Sequence, residues 1–254
     1  MKLIAIAFNT FKEAVRNKIF YLLVAFGILF ALSSKLISLL TIGNEVKVLK
    51  DVGLSVINFF SVLTAIFTGI NLIYKEIEKK TSYNILSKPI SRSQFIIGKF
   101  FGLAFTLLVA LVSMAVIFFL FLYVSTGEFS WMMLVYFVLL YMELLIITAI
   151  SLLFSSFSTP ILSSIFTISL FLIGQVMWTF NMFYQKLKSP FEKMIAYLFY
   201  YILPNLDKFN IKSEVVMKTG VGSYHILNAM LYAVVYITAL LALTIIIFNQ
   251  REFQ

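Results

Sequence analysis

Few side chains in this sequence are equipped for bond-breaking chemistry. There is no cysteine and only one histidine, His225, among 254 residues. Nucleophilic catalysis and metal binding both need several such groups converging, so an intramembrane enzyme or metal site is a poor expectation, and disulfides are excluded. A phosphate-cradling G-x-x-x-x-G-K-[ST] loop is also missing: Gly98-Lys99 is preceded by Ser93 where the first glycine belongs and followed by Phe100. Two placements of ionisable residues stand out. One is Glu143, inside an apolar run; the other is the segment YKEIEKKTSYNILSKPISRSQFIIGKFFG at 74–102.

That segment has a readable internal order. Glu76 and Lys80 stand at i, i+4, which favours helix. Pro89 disfavours helical geometry at Lys88 and forces a turn. Ser91 and Gln94 then fit a capping box, which starts a new helix. This short helix is expected to display Arg92 and Lys99 around an apolar face of Phe95 and Ile96, with Gly98 and Gly102 allowing close packing into the run that follows. Two readings stand side by side: a charged loop that only fixes topology, or a helix set across the ends of two spans to receive force from a soluble partner.

The elements that must position these residues are membrane spans. Hydrophobic residues make up 61% of the chain and charged ones 12%, far from the balance of soluble domains. A helix needs roughly 20 apolar residues to cross a hydrocarbon core about 30 Å thick. Six stretches qualify, near Ile19 to Ile42, Val52 to Tyr74, Phe100 to Val124, Trp131 to Phe154, Ile161 to Phe183 and Tyr224 to Phe248. The expected fold is therefore an all-α integral membrane protein of about six transmembrane helices, one domain over 1–254. The first span is expected to stay in the mature protein, because Asn9, Lys12, Glu13 and Arg16 interrupt the leading apolar residues.

Lysine and arginine set the orientation. The net charge is +9, an excess that suits cytoplasmic loops and anionic lipid better than nucleic acid. Four cations precede the first span, and six lie between the second and third, from Lys75 to Lys99. Six lysines from Lys186 to Lys218 fall on the other side. The early flanks usually dominate insertion, so both termini are placed in the cytoplasm. Residues 1–18 put Ile4, Phe8, Phe11 and Val15 on one stripe opposite Asn9, Lys12, Glu13 and Arg16, which suits an interfacial elbow helix; a helix packed on neighbouring spans is the alternative. Within the outer loop 184–222, the run between Pro190 and Pro204 is too short to cross and should dip into the membrane or lie in its interface, with a solvated loop after it.

Glu143 sits near the middle of the fourth span, where a carboxylate is expensive without a partner. It is either a pore contact for substrate, cation or proton, or a protonated side chain bonded to a neighbouring serine or threonine. Asn58, Gln175 and similar residues are expected to bond across helices as structural glue.

An acidic residue (Glu76 or Glu78), Thr81, Leu86, Pro89, Ser91, Arg92 and finally Gly98 with Lys99 resemble the first cytoplasmic loop of ABC-2 type transporter permeases. The layout of elbow helix, six spans and membrane-dipping segment is similar too, most of all to permeases grouped with multicopper-enzyme maturation and sodium export. The resemblance implies a plasma-membrane permease subunit, not catalytic alone. It would dimerise with an identical or homologous chain and dock two ATP-binding subunits, which carry ATP and Mg. It also implies that 75–99, with Phe95 on its apolar face, is the coupling loop. An ion-coupled secondary carrier is the alternative; that class shows paired halves and several intramembrane charges, and this chain offers mainly Glu143.

Overall fold

The structure is a computed structural model that describes residues 2–39, 43–78, 91–127, 130–187 and 189–250, with residues 2, 71–78 and 181–183 described by their backbone alone. Every described element is helical: α1 (Lys2–Val15), α2 (Lys18–Leu39), α3 (Glu45–Glu78), α4 (Arg92–Thr126), α5 (Trp131–Ser155), α6 (Pro160–Gln175), α7 (Phe180–Lys186), α8 (Pro190–Ile202), α9 (Lys212–Met217) and α10 (Ser223–Gln250). Five are long and apolar enough to cross a membrane, and six if the bent pair of α6 with α7 is one span.

Length explains how the bundle presents its ends. α3 has 34 residues and α4 has 35, roughly 50 Å each at 1.5 Å per residue and well beyond a hydrocarbon core of about 30 Å. The continuation of α3 past the second apolar run agrees with the sequence expectation. α4 does not: it runs unbroken from Arg92 to Thr126, so the expected short separate helix is instead the first two turns of the third span. A glycine inside a helix costs only about 1 kcal/mol, and neither Gly98 nor Gly102 ends it.

The core lies among α3, α4 and α5. Leu54 and Ile57 on α3, Leu103 and Leu107 on α4, and Leu139, Leu144, Ile147 and Leu152 on α5 are buried. α5 is enclosed on nearly every side; α10 packs along it and α2 packs along α3, each with one face turned outward.

The fifth span departs from expectation. α6 stops at Gln175, a 3-10 turn covers Met177–Thr179, and the chain bends by 47° into α7. The bend is wedged by the segment after α8: the Leu206 N–H donates to the Gly174 carbonyl at 3.1 Å, and a Cβ at Gly174 would stand 2.8 Å from the Pro204 carbonyl oxygen. A broken helix needs such outside donors for its orphaned carbonyls.

The stretch after α8, expected to be solvated, is a plug. Leu206, Phe209, Ile211 and Val215 are buried against α3, α5 and α10. Lys212 fastens it, with Nζ 3.0 Å from the Asp51 carboxylate and donating to Ser55 Oγ at 2.8 Å. Tyr232 and Tyr236 of α10 hold its start: the Asn205 N–H donates to the Tyr232 hydroxyl and the Tyr236 hydroxyl to the Ile202 carbonyl, each at 2.8 Å. Burial and the nearby Glu214 raise the Asp207 carboxyl above the usual range, with His225 opposing. The run between Pro190 and Pro204 forms the 13-residue α8, which buries only Ala196. It leans on α7 through aromatic pairs, Tyr200 on Phe180 at 4.6 Å and Tyr197 on Tyr184 at 5.0 Å. Its Phe191, Met194, Leu198 and Tyr201 are exposed.

Candidate functional site

The junction at the start of α4 collects most of the residues singled out above. Ser91 has extended backbone (φ −72°, ψ 150°); its Oγ accepts from the Gln94 N–H at 3.2 Å, and its own N–H donates to Gln94 Oε1 at 3.4 Å. The expected capping box is present and fixes where α4 begins. One residue on, Arg92 Nη1 donates to the carbonyls of Phe248 and Asn249 at 3.0 and 2.9 Å. Those carbonyls lie in the last described turn of α10, toward the negative end of the helix dipole, where a guanidinium is favoured. Phe95 stacks on Phe248, with ring centroids 5.9 Å apart and planes 16° apart.

Two turns further, Lys99 is only 1% exposed. Its Nζ lies 3.7 Å from Glu13 of α1 and 5.7 Å from the Phe95 ring centroid. On the α1 side, a Cβ at Gly98 would stand 2.8 Å from Ile6 Cγ2, and one at Gly102 would stand 2.5 Å from both the Ala7 carbonyl oxygen and Thr10 Cβ. The glycines do permit close packing, and the element they admit is α1. Thr10 and Ala14 of α1 are accordingly buried, and Phe11 meets Phe105 edge-on at 4.7 Å.

This corrects one expectation. Arg92 and Lys99 were to be displayed to solvent around Phe95 and Ile96; instead all four share the inward face. The spacing carried that signal, because positions i, i+3, i+4 and i+7 lie on one helical stripe. With α4 continuous, a stripe holding Phe95 and Ile96 turns to the bundle and takes its two cations along. Each then needs a partner, α10 supplying backbone carbonyls and α1 a carboxylate.

Glu76 and Glu78 belong to the last turns of α3, whose backbone reaches Glu78. Thr81, Leu86 and Pro89 lie outside the described residues. Glu143 stands apart from this junction, on α5. It is 1% exposed and accepts from Gln175 Nε2 at 2.5 Å. Its partner is thus an amide from the last residue of α6 rather than a serine or threonine hydroxyl. Tyr136, one side of the same neighbourhood, donates its hydroxyl to the Leu54 carbonyl at 3.3 Å. Glu13, Phe248 and Asn249 went unnoticed as site residues in the sequence, since contacts this distant along the chain leave no local pattern.

Among the described residues no group of three or more His, Cys, Asp or Glu side chains is arranged to hold a metal ion. α4 is tied over its first two turns to both α1 and α10, the first and last helices described. A comparison with curated proteins returned no match. The sequence profile described as ABC-2 family transporter protein matches residues 4–253, nearly the full length. With helices suited to multiple membrane crossings and a family match of that extent, this chain belongs to the ABC-2 family of transporter membrane proteins.

Proposed function

We propose that this chain is the permease subunit of an ATP-driven transporter, coupled to a separate ATP-binding subunit through the loop that joins α3 to α4. Family membership favours this over an ion-coupled secondary carrier. What carries the coupling role is the Arg92 bond to the end of α10. A push on the 79–90 loop moves the start of α4, and through Arg92 and Lys99 it is delivered at once to α10 and α1. Two permease chains and two ATPase subunits would complete the transporter, with ATP and Mg held by the ATPases. Both termini then face the cytoplasm of the plasma membrane, as the early cationic flanks favour. Glu143, enclosed within one chain and bonded to Gln175, is better supported as an interhelical latch than as a pore contact.

The test is affinity purification of the full chain in mild detergent. An ATP-binding subunit is expected to accompany it in equal amount, with two copies of each per particle. Arg92→Glu combined with Glu76→Lys should insert normally, since neither position lies within the apolar part of a span. Arg92→Glu sets a carboxylate against two carbonyl oxygens and forfeits charge-assisted hydrogen bonds, a loss of about 1.5–3 kcal/mol. Permease-dependent ATP hydrolysis is accordingly expected to fall about tenfold. Unchanged copurification and hydrolysis in this variant would remove the coupling role from the junction.

A further inference from the structure

We propose that the corner between α1 and α2 binds the phosphodiester headgroup of an acidic phospholipid. The corner is a groove of about 600 Å³ lined by Asn9, Lys12, Glu13, Arg16, Asn17 and Lys18. It is a built turn. Asn17 caps α2, its Oδ1 accepting from the Ile19 N–H at 3.1 Å, while the Arg16 N–H closes the last turn of α1 on the Lys12 carbonyl at 3.1 Å. Lys12, Arg16 and Lys18 are exposed, and all three line the groove. The single acid among them, Glu13, faces buried Lys99 at 3.7 Å. Its charge is therefore answered from inside the protein, and the groove keeps the character of its three cations.

The occupant is set by what borders the groove. Ile4 and Phe8 on α1 are 71% and 56% exposed, and Ile19, Tyr21 and Leu22 on α2 are exposed as well. α1 thus has three faces: Thr10 and Ala14 on the protein, Ile4 and Phe8 facing outward, and a polar edge. Lys12 Nζ lies 4.5 Å from the Phe8 ring centroid, so apolar surface gives way to cation within a single turn. In a membrane-spanning chain that change matches the boundary between acyl chains and headgroups. A soluble ATPase subunit seated here would leave Ile4 and Phe8 in water; a lipid covers them and supplies the anion. Each cation near an anionic membrane surface favours acidic over neutral lipid by about fivefold.

The experiment uses the purified full-length chain without ATPase, so that its outcome is independent of the coupling reading. The protein is reconstituted in phosphatidylcholine bilayers doped with spin-labelled phosphatidylglycerol or spin-labelled phosphatidylcholine, and the motionally restricted lipid fraction is read by electron paramagnetic resonance. Wild type should prefer phosphatidylglycerol. Lys12→Gln with Arg16→Gln and Lys18→Gln should lower that preference at least about fivefold. The charge-matched control, Lys47→Gln with Lys186→Gln and Lys193→Gln, should leave it unchanged. If the triple variant does not fold, Arg16→Gln alone should still lose about fivefold. Equal losses in variant and control, or an undiminished preference in the variant, overturn the site.

Discussion

A Gly102→Leu variant is expected to lift α1 off α4 and to destabilise the chain by about 1–3 kcal/mol, the usual cost of overpacking a close contact. A Cβ at this position would stand 2.5 Å from the Ala7 backbone oxygen. Backbone cannot rotate away as a long side chain can, so relief has to come from movement of the whole helix. α1 carries Glu13, the carboxylate facing Lys99, and Lys99 is buried. Displacing α1 therefore also draws a carboxylate away from a buried cation, which adds to the steric cost. The chain contains no cysteine, so a single engineered thiol reports without background. Thr10 is fully buried under α4; Thr10→Cys should react slowly with a polar maleimide, and Gly102→Leu should speed that reaction at least about tenfold, the factor that 1.4 kcal/mol of opening supplies. Gly220→Leu, at a position where an added Cβ meets nothing within 4 Å, should change neither labelling nor the unfolding midpoint. An unchanged labelling rate in Gly102→Leu would mean that α1 does not rest on that glycine.

The same junction marks where the sequence was legible. Ser91 and Gln94 announced the start of a helix because capping is local, settled by residues three apart. The run between Pro190 and Pro204 was legible as too short for a span, and it forms the thirteen-residue α8. The spans were legible from apolar runs, except where the last turns of a run are not straight helix. The break after Gln175 left no proline at the bend. It comes from Leu206, far along the chain, whose N–H takes the Gly174 carbonyl. The plug was misread because Leu206, Phe209, Ile211 and Val215 follow neither a helical nor a strand period. They lie across a 3-10 turn and a six-residue helix, and the charged residues between them look like solvated loop. Gln175 was expected to bond across helices and does, to Glu143.

The Glu143–Gln175 bond yields the sharpest energetic prediction. Gln175 ends α6 just before the bend, and Glu143 is enclosed on α5, so this bond and the Leu206 to Gly174 bond together pin a broken helix. Gln175→Leu removes the donor and leaves a carboxyl in an apolar interior; the expected loss is about 1–3 kcal/mol. Glu143→Leu leaves the Gln175 amide without its acceptor and should cost a similar amount, about 1–3 kcal/mol. Glu143→Gln keeps a carbonyl oxygen for Gln175 and should cost under about 1 kcal/mol, as interhelical hydrogen bonds in membranes often do. The double variant Glu143→Leu with Gln175→Leu decides the matter. With both polar groups replaced by apolar ones of similar size, nothing buried is left unsatisfied, so the double variant should be more stable than either single variant. Unfolding in mixed detergent micelles gives all four values, and additive losses would show that the two side chains act independently. Transport separates latch from pore contact in the same set. A latch predicts that activity follows stability, so that Glu143→Gln works nearly as well as wild type; a stable Glu143→Gln chain that no longer transports would instead place this carboxyl in contact with what is carried.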